Sequence, residues 1–131
     1  MSNSYCVAER YDTALRRARH SHLPPGTPVP QPTAAWPPEN IALLEQFRAW
    51  LLSGGASPEV VRIIDLPMAG HVLGLSLKPH PQLDLDTDFS LALAYLKAKQ
   101  PGRQWLEVCQ GALAKFRLFL SQQQGQPEVS L

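Results

Sequence analysis

Four histidines, two cysteines and an alternating run of aspartates are the residues here whose types suit catalysis or metal binding. His20 and His22 stand two apart without a cysteine or carboxylate set at zinc spacing, so they read as a polar tail. His71 reads as a partly exposed helix residue, and His80, between Pro79 and Pro81, as loop. Cys109 falls on the apolar face of an expected helix with no base nearby in sequence. It reads as a buried structural thiol rather than a nucleophile. Asp84, Asp86 and Asp88 alternate as calcium ligands do, but the stretch lacks the glycine and terminal glutamate of an EF-hand. A solvated loop leading into a helix N-cap is the stronger account. There is no glycine-rich phosphate loop, no G-x-S-x-G and no C-x-x-C. No enzymatic activity, no cofactor and no metal site are expected.

Binding chemistry has more to work with. Arg62, Arg103 and Lys115 fall on expected helices, Gln104 follows Arg103, and Ser57 precedes a helix start. Arginine and lysine suit phosphate, and a helix N-terminus presents backbone N–H groups to an anion. The net charge of +1 weighs against strong nucleic-acid affinity, since phosphate neutralisation supplies most of its non-specific part. Any such case rests on where the charges lie.

The elements that position these residues are helices. The spacing predicts the first over 38–53, with Ile41, Leu44, Phe47 and Leu51 in one stripe flanked by Leu43 and Trp50, and Gly54-Gly55 ending it. The second starts at Ser57-Pro58-Glu59, with serine as cap and proline at N1. Val61, Ile64, Met68, Val72 and Leu75 continue its stripe, and Pro67 is expected to kink or split it near 63–65. A third helix is expected over 88–99, and a fourth over 103–124, where Trp105, Cys109, Ala112, Leu113, Phe116, Phe119 and Leu120 recur at helical spacing. Trp50 and Trp105 therefore belong to the expected core.

Residues 1–37 read as an N-terminal arm. Thirteen prolines occur in the chain, seven of them between Pro24 and Pro38, which makes 23–38 an extended, semi-rigid linker. A short helix over 4–20 fits the spacing of Val7, Tyr11, Ala14, Leu15 and Ala18, with Arg10, Arg16, Arg17 and Arg19 on or near the opposite face. Trp36, amid prolines, is expected to anchor onto the domain, and the folded domain to occupy 38–127. No run of eighteen apolar residues occurs, so no membrane span is expected. The first residues lack a basic segment followed by an apolar one, so no secretory signal is expected. Two cysteines in unlike contexts, Cys6 and Cys109, fit a reduced, cytoplasmic environment.

Three segments carry a family resemblance: Leu44-Glu45-Gln46-Phe47-Arg48-Ala49-Trp50-Leu51, Gly55-Ala56-Ser57-Pro58-Glu59-Val60-Val61, and 111–120 with Lys115, Phe116 and Arg117. Over about 39–127 the order of helices resembles the N-terminal core-binding (SAM-like) domain of tyrosine recombinases and phage integrases. The resemblance implies an all-α fold, a small four-helix orthogonal bundle preceded by a Pro-rich arm. It implies a DNA-binding function in site-specific recombination and DNA integration, clamping double-stranded DNA at a recombination site, with other recombinase subunits as further partners. The positions matching the family's DNA-facing helix starts are Ser57, Arg62, Arg103, Gln104 and Lys115. Two departures stand out: Val60, Val61, Ile63, Ile64 and Pro67 fill a stretch that is more polar in the family, and Ala114 stands where arginine is common. The catalytic arginines, the histidine box and the nucleophilic tyrosine have no counterpart, and Tyr5, Tyr11 and Tyr95 sit in no such box. The chain thus reads as a fragment of a longer recombinase or a stand-alone relic. The alternative, favoured by near-neutral charge and the Pro-rich segment, is a helical protein–protein interaction module.

Overall fold

A computed structural model describes residues 6–17 and 23–123. Among the described residues the regular structure is all helical. The elements are α1 (Val7–Arg17), a 3₁₀ turn (Thr33–Ala35), α2 (Pro38–Ser53), α3 (Pro58–Val60), a π-helical turn (Val61–Asp65), α4 (Leu66–Ser76), a second 3₁₀ turn (His80–Gln82), α5 (Thr87–Ala98) and α6 (Arg103–Gln123). The expected short helix over 4–20 is present as α1, and positions 4, 5 and 18–20 lie outside the described residues, as do Arg19, His20, His22 and Gln124.

Helix α2 begins at Pro38 because a proline at N1 forfeits no hydrogen bond, and it ends through paired glycines. Gly55 takes φ +94°, while the N–H of Ala56 reaches the Leu51 carbonyl at 3.0 Å and that of Gly55 the Leu52 carbonyl at 3.1 Å. These two bonds satisfy carbonyls the helix leaves open. Ser57 and Pro58 then start α3 as the sequence implies. The kink expected from Pro67 is a π turn. Proline has no N–H for the carbonyl one turn back, and the ladder widens, so that the Leu66 N–H meets Val61 O.

Leu43, Leu44 and Phe47 of α2, Val72 and Leu73 of α4, Tyr95 of α5, and Phe116 and Leu120 of α6 form the centre of the core, each almost fully buried. The aromatic rings of Phe47, Phe116 and Phe119 meet at centroid distances of 4.9 and 5.3 Å. Asn40, fully buried, ties the 78–80 turn to α2: its Nδ2 donates to Lys78 O at 2.8 Å and its Oδ1 accepts the His80 N–H at 2.9 Å.

Parts of 7–17 and 23–36 pack on this bundle and share its core. Val7, Tyr11 and Trp36 are buried. Tyr11 lies against Gly70 of α4, where an added Cβ would stand 2.3 Å from its ring, and its hydroxyl is hydrogen-bonded to His71 Nδ1 at 2.8 Å. Burial pushes the Tyr11 phenol far above its usual range and that of Tyr95 to about 12. His71 is therefore buried, not the partly exposed residue expected, because α1 covers it. The Asp12 carboxylate accepts from the Thr33 N–H at 2.9 Å and from its hydroxyl at 2.6 Å. Trp36 is an anchor as expected, its indole N–H donating to Gln31 O at 2.9 Å.

The acidic stretch starts α5. Asp84 Oδ1 accepts the N–H groups of Asp86 at 2.9 Å and Thr87 at 2.8 Å, and buried Asp88 accepts from Asp84 N at 2.8 Å and Lys78 Nζ at 3.1 Å. The N–H groups of Thr87 and Asp86 hold the Asp84 carboxyl below its usual range.

Two outcomes follow. Gly74 meets the backbone of Gln31 so closely that a Cβ would lie 2.8 Å from its carbonyl oxygen. Gly74→Ala is therefore expected to cost about 1–3 kcal/mol, read as a lowered midpoint in urea unfolding. The stabilisation from Asp84 is present above the usual aspartate range and is lost as pH falls through its depressed value. Wild type should be more stable than Asp84→Ala at neutral pH, and the gap should close in strong acid.

Candidate nucleic-acid interface

The turn between α2 and the π segment gathers three of the five residues singled out for DNA contact. Ser57 caps α3, its Oγ accepting the Val60 N–H at 3.5 Å, so this side chain is already turned toward its own helix. Arg62 projects from the π turn with its side chain about half exposed, and its Nη2 is 4.0 Å from Glu59 Oε2, the outer limit of an ion pair. It borders a cleft of about 450 Å³ with Arg48, Leu52, Pro58, Glu59 and Val61. Arg48 in turn contacts Glu45 at 3.0 Å. On its other side Arg62 borders a groove against α1.

Lys115 approaches the same turn from α6, beside Gly54, Gly55 and Ala56. Its ammonium lies 3.2 and 3.3 Å from the two oxygens of Asp65, whose side chain is 1% exposed. The π turn aims Asp65 inward, and a carboxylate so placed requires a cation. Lys115 supplies it. The pair is nearly charge-neutral, so Lys115 offers a phosphate far less than a lone lysine would.

Arg103 and Gln104 stand elsewhere. They open α6, twelve residues before Lys115, which places them about 18 Å away along the helix axis. The Arg103 side chain is almost wholly in solvent, with Glu107 at 3.7 Å. The five residues thus do not make one surface: Ser57, Arg62 and Lys115 flank the 54–62 turn, and Arg103 with Gln104 mark the far end of α6.

Trp105 corrects another expectation. Helical spacing places it in the core, but at the N-terminal end of α6 it is 46% exposed, with Val108 44% exposed one turn on. Periodicity gives a face, not the point along the axis at which neighbouring helices stop covering it. Trp50 is partly buried and packs on Phe47 and Phe119. Cys109 is buried, and that burial pushes its thiol up, away from the reactive thiolate. Among the described residues no three His, Cys, Asp or Glu side chains group as metal ligands, and no helix is long and apolar enough to cross a membrane.

The sequence reading missed two things about charge. The partner of Lys115 lies fifty positions away, beyond any local pattern. The α1 arginines were visible as a cluster, but their place beside Arg62 depends on the docking of Tyr11.

The Lys115–Asp65 contact has a measurable consequence. Lys115→Met strands a buried carboxylate and is expected to destabilise the fold by about 3 kcal/mol in chemical unfolding. Asp65→Leu/Lys115→Met removes both charges and should return to within about 1 kcal/mol of wild type. Compared with protein-family models, with curated proteins and with solved structures, the chain matches none.

Proposed function

We propose that this chain is a non-catalytic helical module that grips the backbone of duplex DNA, in the manner of the core-binding domain of a tyrosine recombinase. The observation that supports it most is the position of Arg62: half exposed, at the edge of ion-pair range from its one carboxylate neighbour, and placed between two clefts. A guanidinium so placed can exchange a weak carboxylate contact for a bidentate phosphate contact at little cost. Helix order along 38–123 suits the four-helix, SAM-like arrangement. Cytoplasmic work on recombination-site DNA, with other recombinase subunits as further partners, completes the reading.

A second reading draws on a different observation. Trp105 and Val108 expose apolar surface on adjacent turns of α6, and aromatic anchors of this kind are common in protein interfaces. On this reading the chain is a protein–protein interaction module and DNA is not its ligand.

A gel-shift with duplex DNA separates the two. The DNA reading expects a complex with dissociation constant of about 1–100 μM that weakens steeply as salt rises. Arg62→Gln should weaken it several-fold, and Trp105→Ala should leave it unchanged. Absence of any shift at low salt, with a defined protein partner retained on purification and lost in Trp105→Ala, would favour the interaction module instead.

A further inference from the structure

We infer that the groove between α1 and the π turn is a phosphodiester-binding site, in which Arg10, Arg16 and Arg17 of α1 act with Arg62. This rests on the DNA reading above and assigns its main contact to a part of the chain that the family resemblance does not cover. The groove holds about 630 Å³ and runs between α1 and Arg62, Ile63 and Pro67. Four guanidinium groups from two separate elements line it, against the single carboxylate of Glu9. Glu59 draws on Arg62 only at 4.0 Å. Arg16 donates to the Thr13 hydroxyl at 3.3 Å, and neither Arg16 nor Arg17 pairs with a carboxylate among the described residues. Arg16, Arg17 and Arg62 therefore face this groove with one distant carboxylate contact among them.

Three features point to an anionic polymer rather than a lone anion. Arg10 and Arg17 are seven residues apart, two helical turns, which sets them about 10 Å apart along the axis. Projected on the duplex axis, that distance covers about three base-pair steps at roughly 3.4 Å of rise each. A ridge of this length can meet more than one phosphate at once. Arginine is also the side chain whose planar fork matches a phosphate with two hydrogen bonds.

The third feature is rigidity. The arginines are not on a loose arm, because the opposite face of α1 is fixed by three independent contacts. Tyr11 is hydrogen-bonded to His71 and seated on Gly70, Asp12 holds Thr33 with two hydrogen bonds, and Val7 is buried. The groove is therefore formed before any ligand arrives, and the ligand need not order it.

The test is fluorescence anisotropy of a short labelled duplex titrated with the whole chain between about 50 and 200 mM salt. Arg16→Gln/Arg17→Gln lies on exposed positions and should retain the wild-type circular dichroism spectrum. It is expected to weaken binding at least ~10-fold at low salt and to lower the slope of log K against log salt by about 2. Glu9→Gln, which removes the carboxylate that lines the groove, should tighten binding. Lys97→Gln, a charge removed from exposed α5 surface, should change the affinity less than twofold. If the duplex binds wild type and the double variant equally, the groove is not the site, and the DNA reading survives on other residues. If the duplex does not bind wild type at low salt, the DNA reading and this site fall together. Equal competition by poly-glutamate and by unlabelled duplex would also overturn the assignment, in favour of an acidic peptide.

Discussion

Two glycines one turn apart on α4 decide how closely the N-terminal segment can approach the bundle. At Gly70 a methyl group would occupy the Tyr11 ring, and at Gly74 it would press on the backbone of Gln31, whose N–H donates to Gly74 O at 3.0 Å. Only a helix face without side chains lets one chain segment lie this near another. Everything N-terminal to Pro38 that packs depends on that bare strip: the burial of His71, the seat of Trp36 and the direction in which the α1 arginines point. An eleven-residue helix is marginal alone in water, so α1 owes its helicity largely to this docking.

Charge in this protein is mostly consumed internally. Lys115 and Lys78 serve the buried carboxylates Asp65 and Asp88, at 3.2 and 3.1 Å. Arg48 and Arg103 lean on glutamates within one turn of their own helices, and Arg117 on Asp86 and the Leu85 carbonyl. A net charge of +1 therefore understates how uneven the surface is. On α1, Arg16 and Arg17 have no carboxylate partner among the described residues, and the nearby Arg62 has one only at 4.0 Å. On the proposed reading a polyanion would meet α1 together with Arg62, the one of the five expected contact residues that borders this groove.

What the sequence disclosed follows the range of the interactions involved. The bounds of α2, its glycine stop, the Ser57-Pro58 start and the disturbance before Pro67 are set by residues within a turn of one another, and all were legible. Cys109 was legible as a core thiol because its helix face is apolar for several turns. Trp36 was legible as an anchor because an indole among prolines has little else to do. Trp105 was not, since its exposure depends on where α6 outruns its neighbours. Lys115 looked like a surface cation because Asp65 is fifty residues away, and Arg10, Arg16 and Arg17 looked like part of a tail because Tyr11 and His71 are sixty apart. Local chemistry was visible; partnership across the bundle was not.

The docking of α1 also bears on how any polyanion would be held. Arginines on a disordered arm must lose conformational freedom on binding, at about 0.5–1.5 kcal/mol for each side chain plus the ordering of the backbone. Here the backbone term is already met by Tyr11, Asp12 and Val7 on the far face of the helix. Only the side chains remain to be ordered, and Arg16 is partly held by Thr13. The apolar side of α1 thus determines what its charged side can do, and the two cannot be altered independently. A change that loosens Tyr11 from Gly70 scatters the arginines without removing a single charge, whereas neutralising the arginines leaves the core contacts intact.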